Sequence, residues 1–136
     1  MVKKFHLDII TPTSIESFEN IDYVRIPSLD GLIGVKAKHA QAMIGLGIGE
    51  VRITKDNKQY FYSTSGGFAD IANEGVQLLL ETAEKAKNVN ANRAQDALDR
   101  AKNRLKDPSA DLDRANDAIK RAKNRLAISI NFTKNK

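Results

Sequence analysis

The sequence predicts two dissimilar parts, an antiparallel β domain over residues 1–84, sandwich or barrel, followed by an αα-hairpin over 85–136. Three observations carry this. All eight glycines and all three tyrosines precede Thr82, and no glycine follows it. Apolar residues come in short, turn-bounded runs before that point and at helical spacing after it. Charge divides at the same place: through Thr82 there are 8 basic and 10 acidic side chains, net −2, and beyond it 14 and 7, net +7. The overall charge of +5 therefore resides wholly in the tail.

Phe5 to Ile9 alternates apolar and polar residues and Tyr23 to Ile26 is β-rich, with Pro12, Pro27 and Gly31 bounding these runs. Glu50 to Thr54 and Gln59 to Ser63 flank Lys55-Asp56-Asn57-Lys58, which predicts a hairpin with a four-residue loop. Gly67 to Ile71 and Val76 to Leu80 bracket Asn73-Glu74-Gly75 as a second strand pair. Ser65-Gly66-Gly67-Phe68 lacks the Lys-Ser/Thr ending of a phosphate-binding loop and leads into a strand, so it reads as a bulge or tight turn.

In the tail, Ala94, Leu98, Ala101 and Leu105 recur at steps of four, three and four, and Leu112, Ala115, Ile119, Ala122 and Leu126 at three, four, three and four. Each set makes one apolar seam. Pro108 disfavours helix before it, so the predicted helices span about 91–106 and 110–128. Asp111 and Asp113 suit a helix start, and Lys120, Arg121, Lys123 and Arg125 lie towards its end. An echo at an offset of 21 residues, Asp99 to Leu105 against Lys120 to Leu126, supports the pairing. The seam's large side chains are Leu98, Leu105, Leu112, Ile119 and Leu126, too few to offset the entropy of ordering the whole hairpin. The hairpin is therefore expected either to exchange between surfaces or to pack permanently on the β domain.

Other classes fall away. At 136 residues the chain makes one domain, or a small domain with an appendage. Without cysteine there is no disulfide framework, thiolate metal site or thiol nucleophile. The longest mostly apolar stretch, Ala42 to Gly49, is far short of a bilayer span, and Asp8 interrupts any signal-like segment. His6 and His39 belong to no cluster with metal-ligand or catalytic spacing. Arg93, Arg100, Arg104, Arg114, Arg121 and Arg125 stand off the seam and suit nucleic acid, phosphates or an acidic protein. Alternatively they form a solvated face with pairs such as Asp96–Arg100 and Asp117–Arg121. The positive helices lack aromatic residues to stack bases, which weakens nucleic acid as partner.

Thr11-Pro12, Gly31-Leu32-Ile33-Gly34-Val35 followed by His39, Ser65-Gly66-Gly67-Phe68 and Glu81-Thr82-Ala83-Glu84, in this order and followed by an Ala-rich hairpin, resemble the ε subunit of F-type ATP synthases over nearly the whole chain. The resemblance implies a ten-stranded, N-terminal antiparallel β-sandwich followed by a C-terminal αα-hairpin. It also implies a non-catalytic rotor role, with the sandwich binding the γ subunit and the c-ring at the cytoplasmic face of a bacterial membrane. The helices would be regulatory, inhibiting ATP hydrolysis when their basic face (Arg100, Arg104, Arg114, Arg121, Arg125) meets acidic loops of the β subunits, near α. Gly31, Leu32, Lys36, Lys38 and His39 would form a loop facing the c-ring. The chain departs there, reading Lys36-Ala37-Lys38-His39-Ala40-Gln41 for the family's Leu-Pro-Gly-His-x-Pro. No cofactor is required. A regulatory ATP site of some members would correspond to Glu84, Val89, Asn90, Arg93, Ala94, Arg121 and Arg125. Asn90 replaces the motif's Asp, which removes a charge and implies weak binding. A free-standing regulator that binds nucleic acid through the basic hairpin is the alternative.

Overall fold

The structure, a computed structural model, describes residues 3–107, 109 and 111–134, with the backbone alone for 131–134. It comprises two compact units, Met1–Glu84 and Lys85–Lys136.

In the first unit the strands are β1 (Phe5–Thr11), β2 (Ser14–Ile21), β3 (Tyr23–Ser28), β4 (Gly31–Val35) and β5 (Ala42–Leu46). They continue as β6 (Gly49–Lys55), β7 (Lys58–Thr64), β8 (Gly67–Ala72), β9 (Gly75–Leu80) and β10 (Ala83–Lys85). The hydrogen-bonded order is β10-β7-β6-β3-β5-β8-β9-β1-β2, with β4 attached to β3. β3 turns the corner, since Tyr23 to Arg25 pair with β6 whereas Ser28 pairs with β5. The path folds back on itself as a sandwich. Phe18 of β2 meets Tyr60 and Tyr62 of β7 at ring separations of 5.7 and 6.2 Å. Burial, and then a hydrogen bond to Glu16 of β2, push the Tyr62 phenol above its ordinary range.

One pairing departs from the antiparallel expectation: β1 runs parallel to β9, from His6 opposite Gly75 to Ile10 opposite Leu79. A tight turn at Pro12-Thr13, with Thr11 opposite Ser14, then lays β2 antiparallel on β1. Local alternation cannot register this insertion, because the two strands are joined by nearly the whole domain. The Lys55–Lys58 loop is also shorter than predicted. Lys55 and Lys58 are themselves paired, and Asp56 and Asn57, with φ of 51° and 64°, form a two-residue turn of the type that matches strand twist. The glycine pair is the expected tight passage. Gly66 and Gly67 have φ of 125° and 147°, and a β-carbon on Gly67 would run into the Leu79 carbonyl. Alternation places Leu7, Ile9, Val24, Ile26, Val51, Ile53, Ala69, Ile71, Val76 and Leu78 inside one core.

The second unit opens with a 3₁₀ turn (Ala86–Asn88), followed by α1 (Ala91–Arg104) and α2 (Leu112–Lys134). Asn90 caps α1 by accepting the Arg93 amide at 3.1 Å, and Asp111 caps α2 through the Arg114 amide at 3.1 Å. α1 stops two residues before the predicted end, where Lys106 and Asp107 close tighter turns onto Asn103 and Arg104. α2 runs six residues past its predicted end, and Ile128 beyond Leu126 is buried. Pro108 and Ala110 lie outside the described residues.

The seam is built differently from its sequence-based expectation. Ala94, Ala101, Ala115 and Ala122 are at most 3% exposed and Leu98 is 6%, whereas Leu105 is 37% and Leu112 55% exposed. Alanines let the two backbones approach closely, which pushes the larger side chains at the ends of both helices out of the contact.

Candidate functional site

The outer face of β5, β8, β9, β1 and β2 carries a row of apolar side chains at directly opposed positions. Gly45 pairs with Phe68, Phe68 with Leu79, Leu79 with Ile10, and Ile10 with Ile15. Leu29, in the turn between β3 and β4, extends the row by lying over Gly45, where a β-carbon would meet its Cδ1 at 2.9 Å. Leu29, Phe68 and Ile15 are 74%, 55% and 71% exposed. A contiguous exposed apolar line of this kind is a candidate contact surface.

In the next row on the same face Met43, Asp70, Gln77, Asp8 and Ser17 are opposed in that order, polar except for the exposed Met43. Beyond it His6 is clamped between carboxylates, with Nε2 2.7 Å from Asp8 and Nδ1 2.8 Å from Glu19. Ser17 donates to the same Asp8 oxygen at 2.7 Å. The Glu19 and Asp8 contacts hold the imidazole above its ordinary value, and Ser17 and His6 hold the Asp8 carboxyl below its own. On the outer face of β3 and β6, Glu50 accepts from both Arg25 and Arg52, at 3.0 and 3.1 Å, and Arg52 stacks 5.1 Å over the Phe61 ring.

The residues expected to face a c-ring do not form one loop. Gly31 and Leu32 open β4 at its hairpin with β3, whereas Lys36, Lys38 and His39 follow its other end, about 13 Å away along the strand. Leu32 is 63% exposed, Lys36 and Lys38 are exposed, and the His39 ring bonds the Ala40 carbonyl at 2.8 Å.

In the helical unit, Arg93 and Arg121 are exposed and Arg125 is half-buried. Val89 is nearly buried, Ala94 is fully buried in the seam, and the Asn90 side-chain oxygen is engaged as a cap. Glu84 lies in β10, half-buried, and is described with the first unit. Arg100, Arg104 and Arg114 project from the exposed surfaces of α1 and α2. The pairs Asp96–Arg100 and Asp117–Arg121 are absent among the described residues, and Asp99 instead accepts from Gln95 at 3.0 Å. Arg100, Arg104, Arg114 and Arg121 of the basic face are thus exposed and without an ion pair among the described residues, as is Arg93.

Sequence reasoning missed the apolar row. Its signal was the breach of alternation in β1 and β9: Ile9-Ile10 and Leu78-Leu79-Leu80 put apolar residues on both faces.

A β-sandwich with an exposed apolar row, followed by a two-helix unit rich in arginine, defines the class of protein as a sandwich domain with a helical appendage. The family profile "ATP synthase, Delta/Epsilon chain, beta-sandwich domain" matches residues 4–86. The chain is 39% identical over 111 residues to the ATP synthase epsilon chain of Lawsonia intracellularis, covering 82% of this chain and 84% of that one. It is 35% identical over 112 residues to the epsilon chain of Desulforamulus reducens, covering 82% and 85%. Among solved structures, the Euglena gracilis mitochondrial ATP synthase (OSCP/F1/c-ring) contains a chain that superposes with a TM-score of 0.84 at 20% identity, covering 92% of this chain and 81% of that one. The chain belongs to the ATP synthase delta/epsilon family and, within it, groups with the epsilon chains.

Proposed function

We propose that this chain is a non-catalytic rotor subunit of an F-type ATP synthase, peripheral to the membrane, which docks through its β domain and restrains ATP hydrolysis through its helices. The apolar row from Leu29 through Phe68, Leu79 and Ile10 to Ile15 carries the docking part, because an exposed line of this length suits a protein partner, which we assign to γ. The Leu29–Leu32 hairpin is the part of the domain we assign to the c-ring, having two exposed leucines and no cation. The unpaired Arg100, Arg104, Arg114 and Arg121 support contact with acidic surfaces of the catalytic β subunits. Regulatory ATP fits the exposed Arg93 and Arg121 as phosphate partners, while Asn90 contributes only an amide whose oxygen is already capping α1. No helix is long and apolar enough to cross a membrane. The nucleic-acid alternative gains nothing from the relatives, which are ATP synthase chains.

A tagged copy of the chain, expressed in its own cells, is expected to bring down the catalytic head and the ring together. Replacement of Arg100, Arg104, Arg114 and Arg121 by Glu is expected to leave assembly intact and raise ATP hydrolysis by the complex. Recovery of the chain without ATP synthase subunits would defeat the reading, and unchanged hydrolysis would remove its inhibitory half.

A further inference from the structure

All six lysines of the β domain, Lys3, Lys4, Lys36, Lys38, Lys55 and Lys58, fall at one end of it. That is the end where β1, β7 and β9 begin and where β4 and β6 finish. The turns at the other end, Pro12-Thr13, Leu29-Asp30 and Ser65-Gly66, contain no lysine or arginine. The sequence conceals this grouping, since it draws on three separate segments of a part whose net charge is −2.

Four acids also lie at this end, Glu19, Asp22, Asp56 and Glu74, fewer than the six lysines. Asp56 and Asp22 converge on Lys4, at 2.8 and 3.6 Å, and Asp22 also accepts the Asp56 amide at 3.1 Å. Lys4 holds the Asp56 carboxyl below its ordinary value. Lys3, Lys36, Lys38, Lys55 and Lys58 have no ion-pair partner among the described residues. Lys55 and Lys58 stand directly opposite each other across the β6–β7 turn, an arrangement of like charges that costs stability. Lys38, with φ of 67°, and the bond from the His39 amide to the Lys36 carbonyl at 3.3 Å fix a tight turn. Lys36 lies two strands from Lys55 in the order β4-β3-β6, about 10 Å across the sheet.

We infer that this lysine end binds an acidic polypeptide surface on an adjoining subunit, one that presents several carboxylates over about 10–15 Å. A bilayer is the poorer fit, because surface binding by cations is normally reinforced by apolar anchors, and Leu29 and Leu32 lie at the opposite end. A nucleic-acid backbone is also poorer, because arginine, which grips phosphate with a fork of donors, is absent here. Lysines are point charges on flexible stems, suited to carboxylates whose positions vary. The contact should therefore be sensitive to salt on the scale of the Debye length, about 8 Å at physiological ionic strength.

The inference rests on the proposed membership of a rotor, and the test separates the two. The complex retained on the tagged chain is treated with a carbodiimide, which joins lysine to carboxylate without a spacer, and the linked peptides are identified by mass spectrometry. Links from Lys36, Lys38, Lys55 or Lys58 to Asp or Glu of another subunit are expected. A chain carrying Lys36→Glu, Lys38→Glu, Lys55→Glu and Lys58→Glu is expected to be retained at least about tenfold less well at 0.15 M salt. An intact complex whose links arise only elsewhere on the chain, with the fourfold variant retained like the parent, overturns the inference and leaves the functional reading standing. Binding of the parent but not the variant to phosphatidylserine vesicles, without such links, reassigns the end to membrane and also overturns it. Absence of any complex defeats both.

Discussion

Both His6 ring nitrogens face carboxylate oxygens, Asp8 at 2.7 Å and Glu19 at 2.8 Å, an arrangement that favours the imidazolium, which can donate to both. Its native pKa is accordingly raised. A raised native value means stability that is complete below the ordinary histidine value of about 6.5 and is lost as pH climbs through the native one. Asp8 has the opposite sign: its lowered value contributes stability above the ordinary carboxylate value of about 4, lost as pH falls through the native one. The clamp is thus complete between those limits. Thermal unfolding should show a midpoint that declines from about pH 6 upward, and His6→Gln should flatten that decline. A parent midpoint that is level or rising there would show that His6 is not held as a cation. None of this was legible in the sequence, where His6 belonged to no cluster. Its two partners are brought to it by strand pairing, with an irregular register around His6 and Asn20 at φ 56° just beyond Glu19.

At the scale of elements, the hairpin shows how far periodicity reaches. The steps of three and four picked the buried Ala94, Leu98, Ala101, Ala115 and Ala122, but also Leu105 and Leu112, which are exposed. In the structure the alanines bear the closest contact, and Leu105 and Leu112 are left at the tip. Ala122→Leu should therefore force the helices apart and cost about 1–3 kcal/mol, whereas Leu112→Ala should change stability by no more than about 0.5 kcal/mol. Urea unfolding of the intact chain followed by helical circular dichroism measures both, and the reverse ranking would restore a leucine seam. Apolar runs bounded by turn signals, such as those of β1, β6 and β9, were legible. β2 was not, because Ser14 to Ile21 mixes acids and an asparagine with few apolar residues and is paired on one side only.

Across the whole molecule, the candidate functional groups lie on separate surfaces. The β domain presents an apolar row, a cation-free hairpin end and a lysine end, and the helical unit presents unpaired arginines. Phe68 is the largest side chain of the row and is 55% exposed. Phe68→Asp should leave unfolding within about 0.5 kcal/mol of the parent while weakening retention of the ATP synthase complex at least about tenfold. Full retention by a folded variant would move the docking surface elsewhere on the domain.

By itself the sequence determined the division into a β part and a helical part, the approximate helices and the opposed charges of the two parts, because composition and periodicity are local properties of the chain. The order of Ser-Gly-Gly-Phe and its flanking motifs also carried the family. Tertiary structure decided the parallel insertion of β1 beside β9, the apolar row, the His6 clamp and the lysine end. Each of these joins residues from distant segments, and their adjacency arises only from the long-range register of the sheet, which no local period encodes.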